Sequence, residues 1–486
     1  MSTRVNLEDK NFLVKSYSFV ALANLLTKPL WMLLFILAAR VLGTEQFGIY
    51  SFANSTIGIL NIFLDLGLDY IIIRESASDG SKTNSYFNGI LLIRSFFTLF
   101  IILIILSYGI ISGAFNSIQF FAILILFGFQ SLTIILTFFK SVTTIYHNFK
   151  LFSGMMVFEK SMIIIIGFLV LYLSKLVLGF IGAIFFANIL STILFYYILN
   201  KKYSLHFSRI NFSIITSLLK KALPFFILNI FIAIYFRIDI LLLDYIIKDK
   251  SVVGIYGSIH RLIEMYLLIP TILMSISFPI ITKKYSENKA FAIEFADRNL
   301  SFLLALSLFI ACIVGFNSYF INKLLYGTAF AEGSNGLIYL IWVCIPISLN
   351  FVLGNLLVTV KKEKLSAFVV GLSCIINIAL NIILIRKYSF VGTSIAALIT
   401  EIFIFTAYSF LVVKHFGKIK IVSLSIKTII LISIVGLSSY FFNSYYGYHA
   451  LMNILLTACL SILLMFILKI IRYRDLYEFF KKLRYN

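Results

Sequence analysis

The chain has 486 residues, of which 61% are hydrophobic and 13% are charged, with a net charge of +21 and a mean hydropathy of +1.02. Soluble domains are about 45–50% apolar and about 25% charged, so this composition excludes a soluble globular protein and indicates a polytopic membrane protein. Nucleic acid is disfavoured as a partner, because no soluble basic domain remains to hold it. Apolar runs of about 20 residues predict transmembrane helices rather than the short alternating strands of a β-barrel.

The apolar pattern predicts an all-α fold of about fourteen transmembrane helices. We expect an N-terminal lobe of spans one to six in residues 1–200 and a C-terminal lobe of spans seven to twelve in residues 201–421. Residues 422–486 are expected to form two further spans and a basic tail. The spans lie at about 16–39, 47–73, 87–110, 117–139, 152–174, 177–199, 222–247, 252–281, 299–321, 335–360, 365–385, 392–413, 424–442 and 449–470.

Basic residues are distributed unequally between the two sets of connecting loops. Thirty lie on the side of the termini, including Lys140 and Lys160, and seven lie on the other side. Because Lys and Arg accumulate in cytoplasmic loops, both termini are predicted to be cytoplasmic. Topology leaves four basic residues unexplained, all within spans: Lys28, Arg94, Arg237 and Arg261.

A tripeptide repeat indicates that the two lobes are related. Gly48-Ile-Tyr opens span two and Gly254-Ile-Tyr opens span eight. Each follows a span with an interior proline, Pro29 or Pro224, and both prolines are candidate gating residues. The two triplets lie six spans apart, and an even number of spans preserves orientation, so the lobes are predicted to be parallel repeats about an axis near the membrane normal.

Two candidate substrate-binding cations lie in the N-terminal lobe. Lys28 directly precedes Pro29 near the middle of span one, where a proline kink beside a cation suits a gate near an anionic ligand. The alternative for Lys28 is an ion pair with a carboxylate. Arg94 lies about two turns inside span three, from which its side chain can reach a cavity or extend to the cytoplasmic surface.

The hairpin of residues 222–290 carries charges inside both of its apolar segments. A charge at mid-membrane costs about 2.5–3.5 kcal/mol on insertion scales, and such residues face a protein interior or an aqueous cavity. Arg237 and Arg261 are candidates to bind phosphate, because guanidinium groups bind it in a bidentate manner. The alternative is internal pairing with Asp239 or Glu264, the latter at i+3 from Arg261.

Carboxylates within spans are candidates for ion coupling or charge pairing. Asp65 and Asp69 are spaced to share one helix face at i and i+4, where like charges repel. Their expected partner is a cation from another span, or a transported proton or sodium ion. Glu401 stands alone near the centre of span twelve and suits a proton site. Glu159 is expected to be solvated near the inner interface.

Sequence motifs for catalysis or metal binding are missing. The chain contains no nucleotide-binding loop, zinc-protease motif or hydrolase motif. Its four cysteines lack metal-ligand spacing and are expected to pack as small apolar residues. The sequence therefore gives little support to an enzymatic function, and we expect no cofactor. Without an ATP motif, a proton or sodium gradient is the expected energy source.

Two segments resemble a known family. Residues 40–50 read RVLGTEQFGIY and are followed by DLGL at residues 65–68. This pattern resembles the N-terminal signature of Wzx-type O-antigen and polysaccharide flippases, in the multidrug/oligosaccharidyl-lipid/polysaccharide exporter superfamily. The second segment, in spans seven and eight, is similar to the same family through Pro224, Arg237, Asp239, Gly254, Tyr256, Arg261, Glu264, Pro270 and Pro279.

The resemblance implies two six-helix lobes around a central cationic cavity, in the inner membrane of a bacterium. It implies a flippase, not an enzyme, that moves an undecaprenyl-diphosphate-linked oligosaccharide from the cytoplasmic to the outer leaflet. The four basic residues within spans would bind the diphosphate or acidic sugars. A polysaccharide polymerase and a chain-length regulator are expected partners, beside the lipid bilayer.

Three alternatives remain open from the sequence. A drug/cation antiporter of the same superfamily usually has twelve spans and an acidic cavity, whereas bases equal or outweigh acids within these spans. A lipid II flippase shares the fourteen spans and a basic cavity. A polysaccharide polymerase, which is an enzyme, usually needs a large outer loop, and the longest such turn here has about 13 residues.

Overall fold

The computed structural model describes residues 10–78, 83–203, 212–417, 419–446 and 449–471. These residues form α-helices joined by short turns and a few 3₁₀ segments, and no described residue lies in a strand. The all-α membrane fold expected from the apolar runs is confirmed. By Cα packing the chain divides into two compact units, residues 1–244 with 249–254, and residues 245–248 with 255–486. The lobes predicted from the sequence, residues 1–200 and 201–421, divide the chain at other positions, and they stay a prediction.

The first eight helices of the described chain come before residue 249. They are α1 (Lys10–Leu60), α2 (Ile62–Asp65), α3 (Leu68–Ser78), α4 (Thr83–Ile111), α5 (Ile118–Ile145), α6 (Phe149–Ser174), α7 (Val177–Tyr203) and α8 (Phe212–Ile247). α6 packs against α7 and α1, and α5 packs against α7, α1 and α3. Phe87, Leu136, Phe138 and Leu218 lie in the apolar core that joins α4 and α5 to α8.

Nine helices follow. They are α9 (Lys250–Tyr266), α10 (Leu268–Glu287), α11 (Lys289–Phe316), α12 (Ser318–Tyr326), α13 (Ser334–Leu340), α14 (Cys344–Thr359), α15 (Glu363–His415), α16 (Ile421–Tyr446) and α17 (Ala450–Ile467). In the second unit, α15 packs against α13 and α14, and α11 packs against α10, α14, α16 and α17.

The last two helices are fixed to α11 by buried amide side chains. The Asn453 amide nitrogen donates to Asn317 Oδ1 at 2.9 Å, and the Ser439 hydroxyl donates to Asn453 Oδ1 at 3.0 Å. A buried polar group that finds a partner avoids a desolvation cost of about 1–3 kcal/mol. This chain of hydrogen bonds therefore sets where α16 and α17 pack on the second unit.

Side-chain caps begin three of the membrane helices. Ser117, Asn148 and Asn288 each accept a hydrogen bond from the backbone N–H three residues later, at 3.2, 3.1 and 3.0 Å. A helix start leaves backbone donors without intrahelical partners, and a capping oxygen satisfies one of them. The short polar turns between apolar runs thus define where α5, α6 and α11 begin.

Eleven helices of the described chain are long and apolar enough to cross a membrane. Two of them, Leu22–Asp65 and Glu363–His415, contain 44 and 53 residues, about twice the 20 that one crossing needs. Each includes one non-helical residue, Gly43 (φ 74°) or Ser389 (φ 52°), where two helices meet. The protein is therefore a multi-pass membrane protein, and the number of fourteen spans stays a prediction.

Candidate functional site

The segment RVLGTEQFGIY builds a turn and its supports. Gly43 adopts φ 74° at the break in α1, a conformation that glycine reaches without steric cost. The Gln46 side chain accepts from Val177 N at 2.8 Å and donates to Lys175 O at 3.3 Å, so it binds the turn between α6 and α7. Gly43 and Gln46 of this motif therefore have structural roles.

The two glycines of the repeated tripeptide pack against each other within the first unit. A Cβ on Gly48 would lie 1.8 Å from Lys250 O, and a Cβ on Gly254 would lie 1.9 Å from Thr44 O. Thr44 precedes Gly48 by four residues, as Lys250 precedes Gly254. This reciprocal contact has the form that a two-fold relation between repeats produces, and it leaves no space for a side chain at either glycine.

The helix breaks between Asp65 and Asp69, so the prediction that they share one helix face is wrong. α2 ends at Asp65, Leu66 and Gly67 have φ of 47° and 69°, and α3 begins at Leu68. The spacing rule assumed a continuous helix, which two successive left-handed residues interrupt. Asp65 is exposed, whereas Asp69 lies in the first turn of α3 and is half-buried.

Arg94 stabilises the break between α2 and α3. Its side chain is 2% exposed and donates to Asp69 Oδ1 at 2.9 Å, to Leu64 O at 3.2 Å and to Ile134 O at 3.2 Å. Its guanidinium also lies 5.0 Å from the Phe138 ring centroid. A broken helix in a membrane leaves carbonyls that need donors, and Arg94 supplies one to Leu64. The cation from another span that was expected for Asp69 is therefore Arg94.

A second buried charge cluster joins α5 and α6. Glu159 is fully buried and accepts from Lys140 Nζ at Oε2 and from Lys160 Nζ at Oε1, both at 2.8 Å. Lys160 Nζ also lies 4.6 Å from the Trp31 ring centroid. The expectation that Glu159 is solvated is wrong, because two lysines assigned to loops neutralise it inside the unit. Lys140 also interacts electrostatically with Asp69.

Lys28 differs from these cations. It is half-buried in α1 and makes no hydrogen bond or ion pair with any residue that the structure describes. The helix continues through the exposed Pro29 with helical dihedral angles, and the break in α1 lies at Gly43. The gating role of Pro29 stays a prediction.

The charges of α8 lie in the first unit with the second part of α1. The Arg237 side chain packs on Gly58, where a Cβ would lie 2.9 Å from Arg237 Nε. Asp239 is buried, and Asp244 binds Lys250. The backbone at Pro224 is helical, but its side chain lies outside the described residues.

Arg261 forms the pair that its spacing allowed. Arg261 Nη1 lies 2.6 Å from Glu264 Oε2, and His260 Nδ1 lies 3.8 Å from the other oxygen of the same carboxylate. Tyr326 of α12 interacts electrostatically with Arg261 and Glu264, and burial raises the pKa of this phenol. Both side chains of the pair stay partly accessible, unlike that of Arg94.

Glu401 is buried and shares a polar contact with α14. The Asn350 amide nitrogen donates to Glu401 Oε2 at 2.7 Å and to Glu401 O at 3.2 Å. The amide oxygen of Asn350 is buried without a hydrogen-bond partner among the described residues. Sequence reasoning found the glutamate from its position in an apolar run but had no signal for its partner.

An apolar cavity of about 360 Å³ opens in the second unit. α11, α14, α15 and α16 line it, and its walls include Leu304, Trp342, Leu349, Phe405 and Ile432. Ser425 and Thr428 are the polar residues of this lining. The cavity suits a hydrocarbon chain far better than a charged or sugar group.

The structure brings together Asp69 with Arg94 and Arg261 with Glu264. Sequence reasoning missed the cluster of Lys140, Glu159 and Lys160, because it counted the lysines as loop residues. Across the described part of the chain, no three His, Cys, Asp or Glu side chains are placed to hold a metal ion. Electrostatic recognition by intramembrane cations is the chemistry that these residues can perform.

Comparison with solved structures identifies the fold. The structure of lipid II flippase MurJ in an inward closed conformation matches with a TM-score of 0.67 and 16% identity, over 94% of this chain and 99% of that one. An inward-facing multidrug resistance transporter of the MATE family and MOP superfamily matches with a TM-score of 0.62 and 13% identity, over 82% and 98%. The chain therefore shares the fold of these two membrane proteins.

Comparison of sequences adds a glycan-related protein. The probable low-salt glycan biosynthesis flippase Agl15 of Haloferax volcanii is 28% identical over 154 residues, 31% of this chain. The match spans about a third (32%) of that relative. The three compared proteins are named as a flippase, a transporter and a probable flippase. The family model described as polysaccharide biosynthesis protein matches residues 13–284, more than half of the sequence, so the chain belongs to the polysaccharide biosynthesis protein family.

Proposed function

We propose that this protein is a flippase that moves an undecaprenyl-diphosphate-linked oligosaccharide, an O-antigen or related repeat unit, to the outer leaflet of a bacterial inner membrane. Lys28 carries the proposal: it is a half-buried cation in a membrane-spanning helix, with no partner among the described residues. An intramembrane charge is expensive, and an anionic cargo neutralises it on binding.

The diphosphate is the part of the cargo that needs protein assistance. It carries about two negative charges, and a charged group pays a desolvation cost on entering hydrocarbon. Lys28, Arg237 and Arg261 are the proposed ligands of this group, because ammonium and guanidinium groups form strong charge-assisted hydrogen bonds to phosphate oxygens. Arg94 supports the site by fixing the break between α2 and α3.

The lipid tail of the cargo has a matching surface. The cavity between α11, α14, α15 and α16 is lined almost wholly by apolar side chains. An isoprenoid chain can occupy such a surface while staying continuous with the bilayer, since neither environment penalises hydrocarbon. This observation favours a lipid-linked cargo over a free sugar.

We propose that a proton or sodium gradient drives alternating access. The sequence offers no nucleotide-binding motif to supply energy. Glu401 and Asp65 are the proposed coupling carboxylates, and Asp69, Asp239 and Glu264 balance charge. Both termini are proposed to be cytoplasmic, and a polysaccharide polymerase and a chain-length regulator are the proposed partners on the pathway.

A lipid II flippase is the second candidate. The observation that favours it is the fold similarity to lipid II flippase MurJ over 94% of this chain. The identity of 16% limits that likeness to the fold. A drug/cation antiporter receives less support, because the described intramembrane clusters contain lysine and arginine as well as carboxylates.

Deleting the gene tests the proposed function. Lipid-linked repeat units are expected to accumulate in the cytoplasmic leaflet, where membrane-impermeant reagents added to intact cells do not reach them. Accumulation of lipid II in that leaflet would identify the second candidate instead. Repeat units that reach the outer leaflet unpolymerised would contradict both and point to a polymerase.

A further inference from the structure

The cluster around Glu159 holds one more positive charge than its structural role needs. One lysine would neutralise the buried carboxylate, but both of its oxygens bind a lysine, Lys140 at Oε2 and Lys160 at Oε1. A second ammonium adds a desolvation penalty without a carboxylate of its own. Asp69 also interacts electrostatically with Lys140, but it is already paired with Arg94, so these five side chains keep one net positive charge that an anion can neutralise.

The cluster lies within helices that are long and apolar enough to cross a membrane. Lys160 is the twelfth of the 26 residues of α6, about 17 Å from the helix start at 1.5 Å per residue. Its side chain is 22% exposed and that of Lys140 is 10% exposed, whereas Glu159 is fully buried. Lys160 is thus partly accessible, whereas Lys140 and Glu159 are buried behind it.

Hydrogen-bond donors remain on both lysines. An ammonium group has three N–H donors, and each lysine uses one for Glu159. No further hydrogen bond to either Nζ occurs among the described residues. Lys160 Nζ instead lies 4.6 Å from the Trp31 ring centroid. A bound anion can attract the ammonium group away from the ring and so replace this cation–π contact.

Trp31 adds a surface for a sugar ring. It is half-buried in α1, with Phe35 at its edge and Phe129 stacked at 6.4 Å between ring centroids. An indole offers a flat apolar face and a polar N–H, which suits the C–H face of a pyranose. Lys28 precedes Trp31 by three residues and so lies on the same side of α1, which extends the positive charge along this helix.

We infer that Trp31, Lys140 and Lys160 form a binding site for a sugar that carries an anionic group. The anion binds the free donors of Lys140 and Lys160, and the sugar ring occupies the indole face that Lys160 leaves. Glu159 positions the two lysines. The inference rests on the proposed function, since it names the part of the proposed cargo that this site binds. The anion can be a sugar carboxylate or the phosphate that links the sugar to its carrier.

The chain contains only two tryptophans, which makes the site measurable. A Trp342→Phe variant of the full chain leaves Trp31 as the only indole fluorophore. Titration with glucuronic acid tests the sugar carboxylate, and titration with glucose 1-phosphate tests the phosphate. We expect a saturable change of Trp31 emission with at least one of them, and weaker binding of glucose and of inorganic phosphate. No saturable change with either anionic sugar would overturn the inference.

Substitution of Lys160 separates this site from general charge effects. In the same background, Lys160→Gln is expected to weaken binding by about tenfold, the loss of one charge-assisted hydrogen bond, while Lys160→Arg restores most of it. The matched control is Lys202→Gln, which removes an exposed lysine that lies 5.8 Å from the Tyr203 ring centroid. Equal affinities of the Lys160→Gln and Lys202→Gln variants would overturn the site.

The titration does not depend on transport. Should gene deletion leave lipid-linked repeat units in the outer leaflet, the proposed function fails while a saturable Trp31 response still establishes the site. Should deletion trap the units inside while Trp31 does not respond, the proposed function stands and this inference fails. Melting temperatures of all variants, expected to lie close to that of the parent, show that the chain remains folded.

Discussion

Arg94 and Lys28 are both intramembrane cations of the first unit, and their surroundings differ sharply. Arg94 is 2% exposed and donates to one carboxylate and two backbone carbonyls. Lys28 is half-buried and has no hydrogen-bond or ion-pair partner within the described residues. The difference shows that membrane depth alone does not identify a ligand-binding charge. The number of protein groups that already satisfy the charge separates a structural cation from one available to a ligand.

Removing Arg94 is expected to have the largest effect on folding. Arg94→Ala leaves Asp69 without its cation and Leu64 O without its donor, and breaking a buried charge pair costs about 3–5 kcal/mol. We expect the free energy of unfolding in detergent to fall by that amount, with transport lost alongside it. Unchanged stability of the Arg94→Ala variant would contradict the structural role assigned to Arg94.

The close approach of Gly48 to Lys250 O is expected to give the next largest effect on stability. Gly48→Ala places a methyl group against Lys250 O, and such overpacking costs about 1–3 kcal/mol. Gly154→Ala is the matched control, because its Cβ would meet no atom within 4 Å. Thermal unfolding should separate the two alanine variants, and equal melting temperatures would contradict the close approach of Gly48 to Lys250.

Removing Arg261 should affect stability less than removing Arg94 and more than removing Lys28. Arg261→Ala is expected to lower the free energy of unfolding by about 1–2 kcal/mol, because it removes the guanidinium that binds Glu264 Oε2. Adding Glu264→Gln should recover part of that loss, since the carboxylate that lost this cation is then replaced by a neutral amide. Transport should stay abolished in both variants, and recovery of transport by the double variant would show that Arg261 serves only its ion pair.

Lys28 should show the smallest effect on folding. Lys28→Gln removes an intramembrane charge without a described partner, so stability is expected to be unchanged or slightly higher. Transport should fall by about tenfold or more, the loss of one charge-assisted hydrogen bond to the cargo. Parallel measurement of melting temperature and flipping checks both parts. Normal transport would exclude Lys28 as a ligand.

Much of the fold could be predicted, because hydropathy and helical spacing are local properties. The apolar runs predicted the membrane helices, and the i,i+3 spacing predicted the pair of Arg261 and Glu264. The repeated tripeptide predicted a relation between two segments, but their contact through Gly48 and Gly254 requires the assembled unit.

Features set by long-range contacts could not be predicted. The break at Leu66 and Gly67 depends on Arg94, 30 residues from the Leu64 carbonyl that it binds. Lys160 was assigned to a loop because charge near the end of an apolar run resembles a membrane boundary. Its burial is compensated by Glu159 and Trp31, and no local pattern reveals the indole, 129 residues earlier in the chain.

Transbilayer movement itself is measured most directly in proteoliposomes. The purified protein is reconstituted with an undecaprenyl-diphosphate-linked oligosaccharide, an ion gradient is imposed, and the fraction of sugar accessible to a membrane-impermeant reagent is followed. We expect this fraction to rise above that of protein-free liposomes, and we expect Lys28→Gln to reduce the rise by about tenfold or more. An accessible fraction equal to that of protein-free liposomes, with folded wild-type protein under either a proton or a sodium gradient, would contradict it.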